Sequence, residues 1–159
     1  MKTLCKKLLT GCLALAMACA VAIPTFAAEP QTRANIYQSY AIQSQTQGLY
    51  LHAEAYVNAP VYLATPATGW MLGRYGGTTK LYLTSTVGNS QLVIRYQGGN
   101  VLIANETFDD GDTAVQLPVY GGYHRIYFVN RGSYVNAINN GQVQTSWYSD
   151  SNAQLWILY

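Results

Sequence analysis

Residues 90–130 read SQLVIRYQGGNVLIANETFDDGDTAVQLPVYGGYHRIYFVN, and the fold turns on how they are parsed. Leu92, Ile94 and Tyr96 share one face of an alternating run, the period-two pattern of a half-buried strand. Gly98-Gly99 supplies the positive φ angles of a tight hairpin, and residues 101–108 return. An acidic turn follows at Asp109-Asp110-Gly111-Asp112, and beyond it Val115 and Leu117 alternate inward. A corner at 118–122 then leads into the run 123–129. These pieces predict consecutive antiparallel strands.

Outward from this block the same pattern recurs. On the N-terminal side Leu49, Leu51, Ala53 and Ala55 alternate with Tyr50, His52, Glu54 and Tyr56, until Asn58-Ala59-Pro60 ends the run because proline has no N–H for a ladder. Residues 60–64 and 70–75 read as short strands about the turn Pro66-Ala67-Thr68-Gly69, and 80–86 set Leu81 and Leu83 against Tyr82 and Thr84. On the C-terminal side 134–138 and 142–148 form a hairpin around Asn139-Asn140-Gly141, and 154–159 end the chain as an apolar strand. Helical spacing over ten residues is not found, and no fixed internal period is evident. The expectation is one all-β domain over 28–159, an antiparallel β-sandwich that is immunoglobulin-like or jelly-roll-like.

Residues 1–27 read as a secretory signal: Lys2, Lys6 and Lys7 lead, 8–23 are largely apolar and uncharged, and Thr25 and Ala27 offer a cleavage site. Cys5, Cys12 and Cys19 all lie in this leader, so the domain after it is expected to be exported yet free of disulfides. Leu15-Ala16-Met17-Ala18-Cys19 also resembles a bacterial lipobox, which implies an alternative, a lipid anchor at Cys19 and a membrane-attached protein. The 159-residue chain carries 9 basic and 7 acidic residues. Without the three leader lysines the balance is 6 basic minus 7 acidic, a net of −1. No cluster of Lys or Arg remains for nucleic acid.

Two resemblances can be drawn. The order of strand, Gly-Gly turn, acidic turn and Gly122-Tyr123 corner over about 81–130 resembles small immunoglobulin-like sandwiches of exported bacterial proteins, in which a tyrosine enters a core strand at such a corner. Ile126 and Phe128 fit the core better than Arg125 and Tyr127, which requires a bulge near His124-Arg125. Separately, Asn152-Ala153-Gln154-Leu155-Trp156 resembles the Gln-x-Trp signature of trefoil lectins, but in one copy where those folds repeat it. Trp156 therefore reads as a core-packing residue of the last strand.

The chemistry is sparse. His52 and His124 stand apart, and no nucleophile motif or phosphate loop is present. Glu54, Glu106 and Asp150 read as solvated carboxylates rather than a glycosidase pair. Asp109, Asp110 and Asp112 are the one weak metal candidate, and the turn itself accounts for them. Catalysis, a cofactor and a metal are not expected. What exceeds expectation is aromatic density, 14 Tyr among 159 residues, all beyond the leader. Trp70, Tyr75, Tyr120, Trp147 and Tyr148 fall near turns, where rings can stack on sugars. The reading is a secreted, non-enzymatic binding module for a glycan or a surface protein. Its alternatives are a self-assembling envelope or matrix protein, pairing through 154–159, and a membrane-active toxin.

Overall fold

The computed structural model describes residues 36–87 and 90–159; the expected leader 1–27, with its three cysteines, lies outside the described residues. The strands in chain order are β1 (Ser39–Ser44), β2 (Tyr50–Ala53), β3 (Val61–Ala64), β4 (Gly69–Tyr75), β5 (Thr78–Val87), β6 (Ser90–Gln97) and β7 (Asn100–Asn105). After a helical turn α1 (Asp110–Thr113) come β8 (Val115–Gln116), β9 (Val119–Tyr120), β10 (Tyr123–His124), β11 (Tyr127–Phe128), β12 (Ser133–Ala137), β13 (Val143–Ser146) and β14 (Trp156–Leu158).

Three hairpins, β2–β3, β6–β7 and β12–β13, meet in a cycle. Pro60 faces Leu102, Asn100 faces Gln144, and Gln142 faces Tyr62. Positions 60, 100 and 142 play one part in that cycle and 62, 102 and 144 the other, so a pseudo-threefold axis passes between the hairpins. The domain is thus three units in steps of roughly 40 residues, a repeat that the side chains do not advertise.

Beneath this cap the remaining strands curl into a ring. β1 ladders to β4, β4 to β5, β8 to β11, β10 to β14, and β14 back to β1, while β5 and β8 stand side by side. Trp70, Val115 and Trp156 occupy one position of the three units, and across each unit boundary they face Leu83, Phe128 and Ser44. Bulk is shared out between partners: Phe128 fills the space beside Val115, and Ser44 makes room for Trp156. All six are buried, as are Ile42, Leu81 and Ile126 one step along. Each such large apolar side chain contributes about 1.5–3 kcal/mol by leaving water.

The expected two-layer sandwich, immunoglobulin-like or jelly-roll-like, is therefore corrected. The individual strands lie near their expected places, with Leu51, Ala53, Leu83, Leu92 and Ile94 facing inward. Alternation decides which side of a strand is buried; it does not decide which strands become neighbours. The break expected near His124-Arg125 is present between β10 and β11, and it turns both Ile126 and Phe128 into the core. The last strand is an interior one, laddered to β1 on one side and β10 on the other, so pairing of copies through 154–159 has no free edge to use.

Candidate ligand-binding site

Two unit boundaries repeat one local sequence: Tyr75-Gly76-Gly77 and Tyr120-Gly121-Gly122, each followed by a cation, Lys80 or Arg125. Both glycine pairs have positive φ, 58° and 87° in the first and 58° and 86° in the second, so each closes a two-residue hairpin that twists with its strands. In both the tyrosine ring lies over the cation, Tyr75 at 5.2 Å from Lys80 Nζ and Tyr120 at 4.3 Å from the Arg125 guanidinium.

The two cations then diverge. Lys80 is fully buried and spends its protons on the carbonyls of Glu106 (2.6 Å) and Phe108 (3.2 Å) and on Asp110 Oδ1 (2.7 Å). Arg125, 2% exposed, sends Nη1 to the Ser149 carbonyl and to Gln154 Oε1, while Nε and Nη2 have no hydrogen-bond partner among the described residues. Ring faces take their place, with Tyr148 at 4.4 Å and Tyr134 at 5.9 Å in addition to Tyr120. A guanidinium, planar and weakly hydrated, suits such a ring-lined setting better than an ammonium.

From this centre the aromatics continue as a chain. Tyr148 meets Tyr134 edge-on at 5.7 Å, and Tyr134 stacks on Tyr127 at 4.7 Å. The Tyr148 hydroxyl donates to Asp150 Oδ1 at 2.6 Å; that bond, and then one with Tyr120, pushes its pKa up to about 12. Next to it stands Trp147, 75% exposed, its ring over Gly132 and its carbonyl held by Gln154 Nε2 at 2.9 Å. Gln154 Nε2 also reaches Ser146 Oγ, which Asn136 Nδ2 shares. The result is a half-exposed aromatic surface edged by the Asp150 carboxylate and the Ser146 hydroxyl.

The five expected aromatics divide accordingly. Tyr120 and Tyr148 come together here at Arg125, and Trp147 adjoins Tyr148 in the chain with its ring by Gly132. Tyr75 is 40% exposed but sits at the other unit boundary over Lys80. Trp70 is fully buried in the ring of strands, and its expected role at the surface is corrected: its indole N–H donates to the Leu51 carbonyl at 2.9 Å. The acidic turn is spent on other contacts. Asp109 caps Gly111 N, Asp110 pairs with Lys80, and Asp112 pairs with Arg131 at 2.6 Å. Among the described residues no cluster of His, Cys, Asp or Glu is arranged to hold a metal.

Arg125, Tyr134 and Gln154 were not among the expected site residues. The twofold recurrence of Tyr-Gly-Gly before a cation, at 75–80 and 120–125, was the readable signal for Arg125. Gln154 has a double part: beside Trp156 it packs the last strand, and it anchors Arg125 and Trp147.

Three hairpin-bearing units around a pseudo-threefold axis define a β-trefoil. Solved structures similar to this chain include a designed 3-fold symmetric protein, ThreeFoil, at 19% identity and TM-score 0.64, over 76% of this chain and 96% of that one. The Macrolepiota procera ricin B-like lectin, solved in complex with lactose, is similar at 15% identity and TM-score 0.57, over 79% of this chain and 97% of that one. Cry35Ab1 is similar at 16% identity and TM-score 0.65, over 79% of this chain and 36% of that one. At these identities the likeness establishes the fold. The chain matches no protein-family model and no curated protein.

Proposed function

We propose that this protein is an exported, non-enzymatic glycan-binding module whose third unit carries the site. The observation that carries the reading is the packing of Tyr120 and Tyr148 on buried Arg125, with the exposed Trp147 next to Tyr148 in the chain. Aromatic faces stack on the C–H face of a sugar, and the exposed Asp150 and Ser146 lie where hydroxyls need partners. Because Arg125 already packs against the Tyr120 and Tyr148 rings, binding forfeits little of their side-chain freedom. The fold likeness to a lectin solved with lactose supports the ligand class. The leader-like residues 1–27 support export.

The test is retention on a panel of immobilised neutral and acidic glycans, with the parent and Trp147→Ala compared. Retention should be lost in the variant while its melting temperature stays that of the parent, since an exposed ring contributes within about 0.5 kcal/mol to folding. A parent that retains no glycan, or a variant that binds as well as the parent, overturns the reading. Binding should also change little between low and moderate salt, because stacking and neutral hydrogen bonds are not screened.

A further inference from the structure

A second cleft opens on the flank of the barrel where the first and second units join. It measures about 230 Å³, and its lining includes Tyr37, Gly73, Arg74, Tyr82, Gln91 and Glu106. Its floor exists because residue 73 is glycine: a Cβ there would stand 2.6 Å from Tyr82 Cε2, so only a bare backbone lets that ring lie flat. The Tyr82 hydroxyl donates to Glu106 Oε2 at 3.3 Å, tying two lining residues together. Burial, and then the Glu106 charge, push Tyr82 up to about 12, so it stays a donor at any ordinary pH.

One wall is a residue held against its preference. Tyr37 has φ of 66°, and its N–H is pinned to the Leu72 carbonyl at 2.6 Å. The left-handed region is strained for a tyrosine. This conformation leaves the ring 67% exposed at the cleft while nearby Tyr40 goes to the core. The side chains of Arg74 and Gln91 make no hydrogen bond or ion pair among the described residues, so both are uncommitted at the rim.

The chemistry of the lining narrows the ligand. One cation and one carboxylate cancel, which favours a neutral ligand. Guanidinium, carboxylate and amide placed around a flat ring match adjacent hydroxyls on a saccharide with one apolar face. The cleft is smaller than the roughly 300–1,000 Å³ of a drug-sized site, so it holds one ring rather than a chain.

We propose that this cleft is a second subsite, for a single neutral pyranose, separate from the tyrosines of the third unit. The ligand class rests on the glycan-binding reading above, whereas the location rests on the cleft's own geometry. Two subsites on one small domain would let a branched or surface-bound glycan be held by avidity.

The test is a titration of the isotope-labelled full chain with galactose, mannose and N-acetylglucosamine, followed at the backbone amides of Gly73 and Gln91. At least one sugar should move both amides saturably. Tyr37→Ala and Arg74→Ala should each weaken that response by about tenfold or more, and Trp147→Ala should leave it alone. Tyr37 and Arg74 are exposed, so neither change disturbs the core. If the Gly73 and Gln91 amides stay still while the amide of Trp147 shifts, the second subsite is refuted and the first stands. If no amide responds to any sugar, both fail. Shifts at Gly73 that persist unchanged in both cleft variants also overturn the proposal.

Discussion

Trp70 and Trp156 perform the same task in different units: each indole N–H donates to a backbone carbonyl of its own unit's hairpin, Trp70 to Leu51 at 2.9 Å and Trp156 to Val135 at 3.2 Å. Each bond ties the ring of strands to the cap. Phenylalanine would keep most of the packing but leave a buried carbonyl without a donor, so Trp70→Phe and Trp156→Phe should each cost about 1–3 kcal/mol. Alanine should cost about 3–5 kcal/mol at either position. Urea unfolding measures both, and a Phe variant as stable as the parent would show that the bonds carry nothing.

Gln154 is the hub behind the aromatic surface. It accepts from Arg125 Nη1 at 3.2 Å and from Ser149 N at 3.1 Å, and it donates to the Trp147 carbonyl and to Ser146 Oγ. Gln154→Leu preserves bulk but strands a buried guanidinium, and about 2–4 kcal/mol should be lost. Glycan retention should fall as well, even at temperatures where the variant is folded. Chemical denaturation and retention on one panel separate the two effects; unchanged retention would place the site elsewhere.

Tyr82 and Tyr148 are both pushed up to about 12, from an ordinary 10.0. In the folded state they hold protons that the unfolded chain releases, so their contribution is complete below pH 10 and is lost as pH rises from there toward 12. Ultraviolet titration of phenolate should find both still protonated when exposed tyrosines have ionised. Tyr82→Phe should flatten the alkaline fall in stability, and an identical fall in that variant would be inconsistent with the assignment.

At acid pH the Lys80–Asp110 pair acts in the other direction. The hydrogen bond from Lys80, then that from Thr78, holds the Asp110 carboxyl below its ordinary 3.8. Its contribution is therefore present above that value and disappears as pH falls through the lower, folded one. Asp110→Asn should remove this part of the acid dependence while Lys80 keeps its two carbonyl partners. Melting temperature against pH gives the answer, and equal slopes for parent and variant below pH 4 would refute it.

Much of the local structure was legible. The glycine pairs at 98–99 and 121–122 marked turns, and alternation assigned Leu51, Ile94 and Ile126 to the interior. The threefold repeat was not legible, because the positions that define it hold chemically different residues. Trp70, Val115 and Trp156 share a place, yet only the last sits in a Gln-x-Trp sequence. Their common property is burial opposite a partner of complementary size, and the partner lies across a unit boundary. Likewise Trp70 next to a turn reads as exposed until the strands around it are known.

The amino-acid order alone determined that this is a β domain with surplus tyrosine and little charge, since backbone propensity, turn chemistry and period-two burial act over a few residues. Which strands neighbour one another was decided only in three dimensions, where the hairpins 50–64, 90–105 and 133–146 close around an axis. The same closure chose which aromatics bind and which pack. Trp70 went to the core, whereas Tyr120 and Tyr148, 28 residues apart in the chain, met at Arg125. Contacts that distant depend on how the whole core fills, and no short stretch of sequence encodes them.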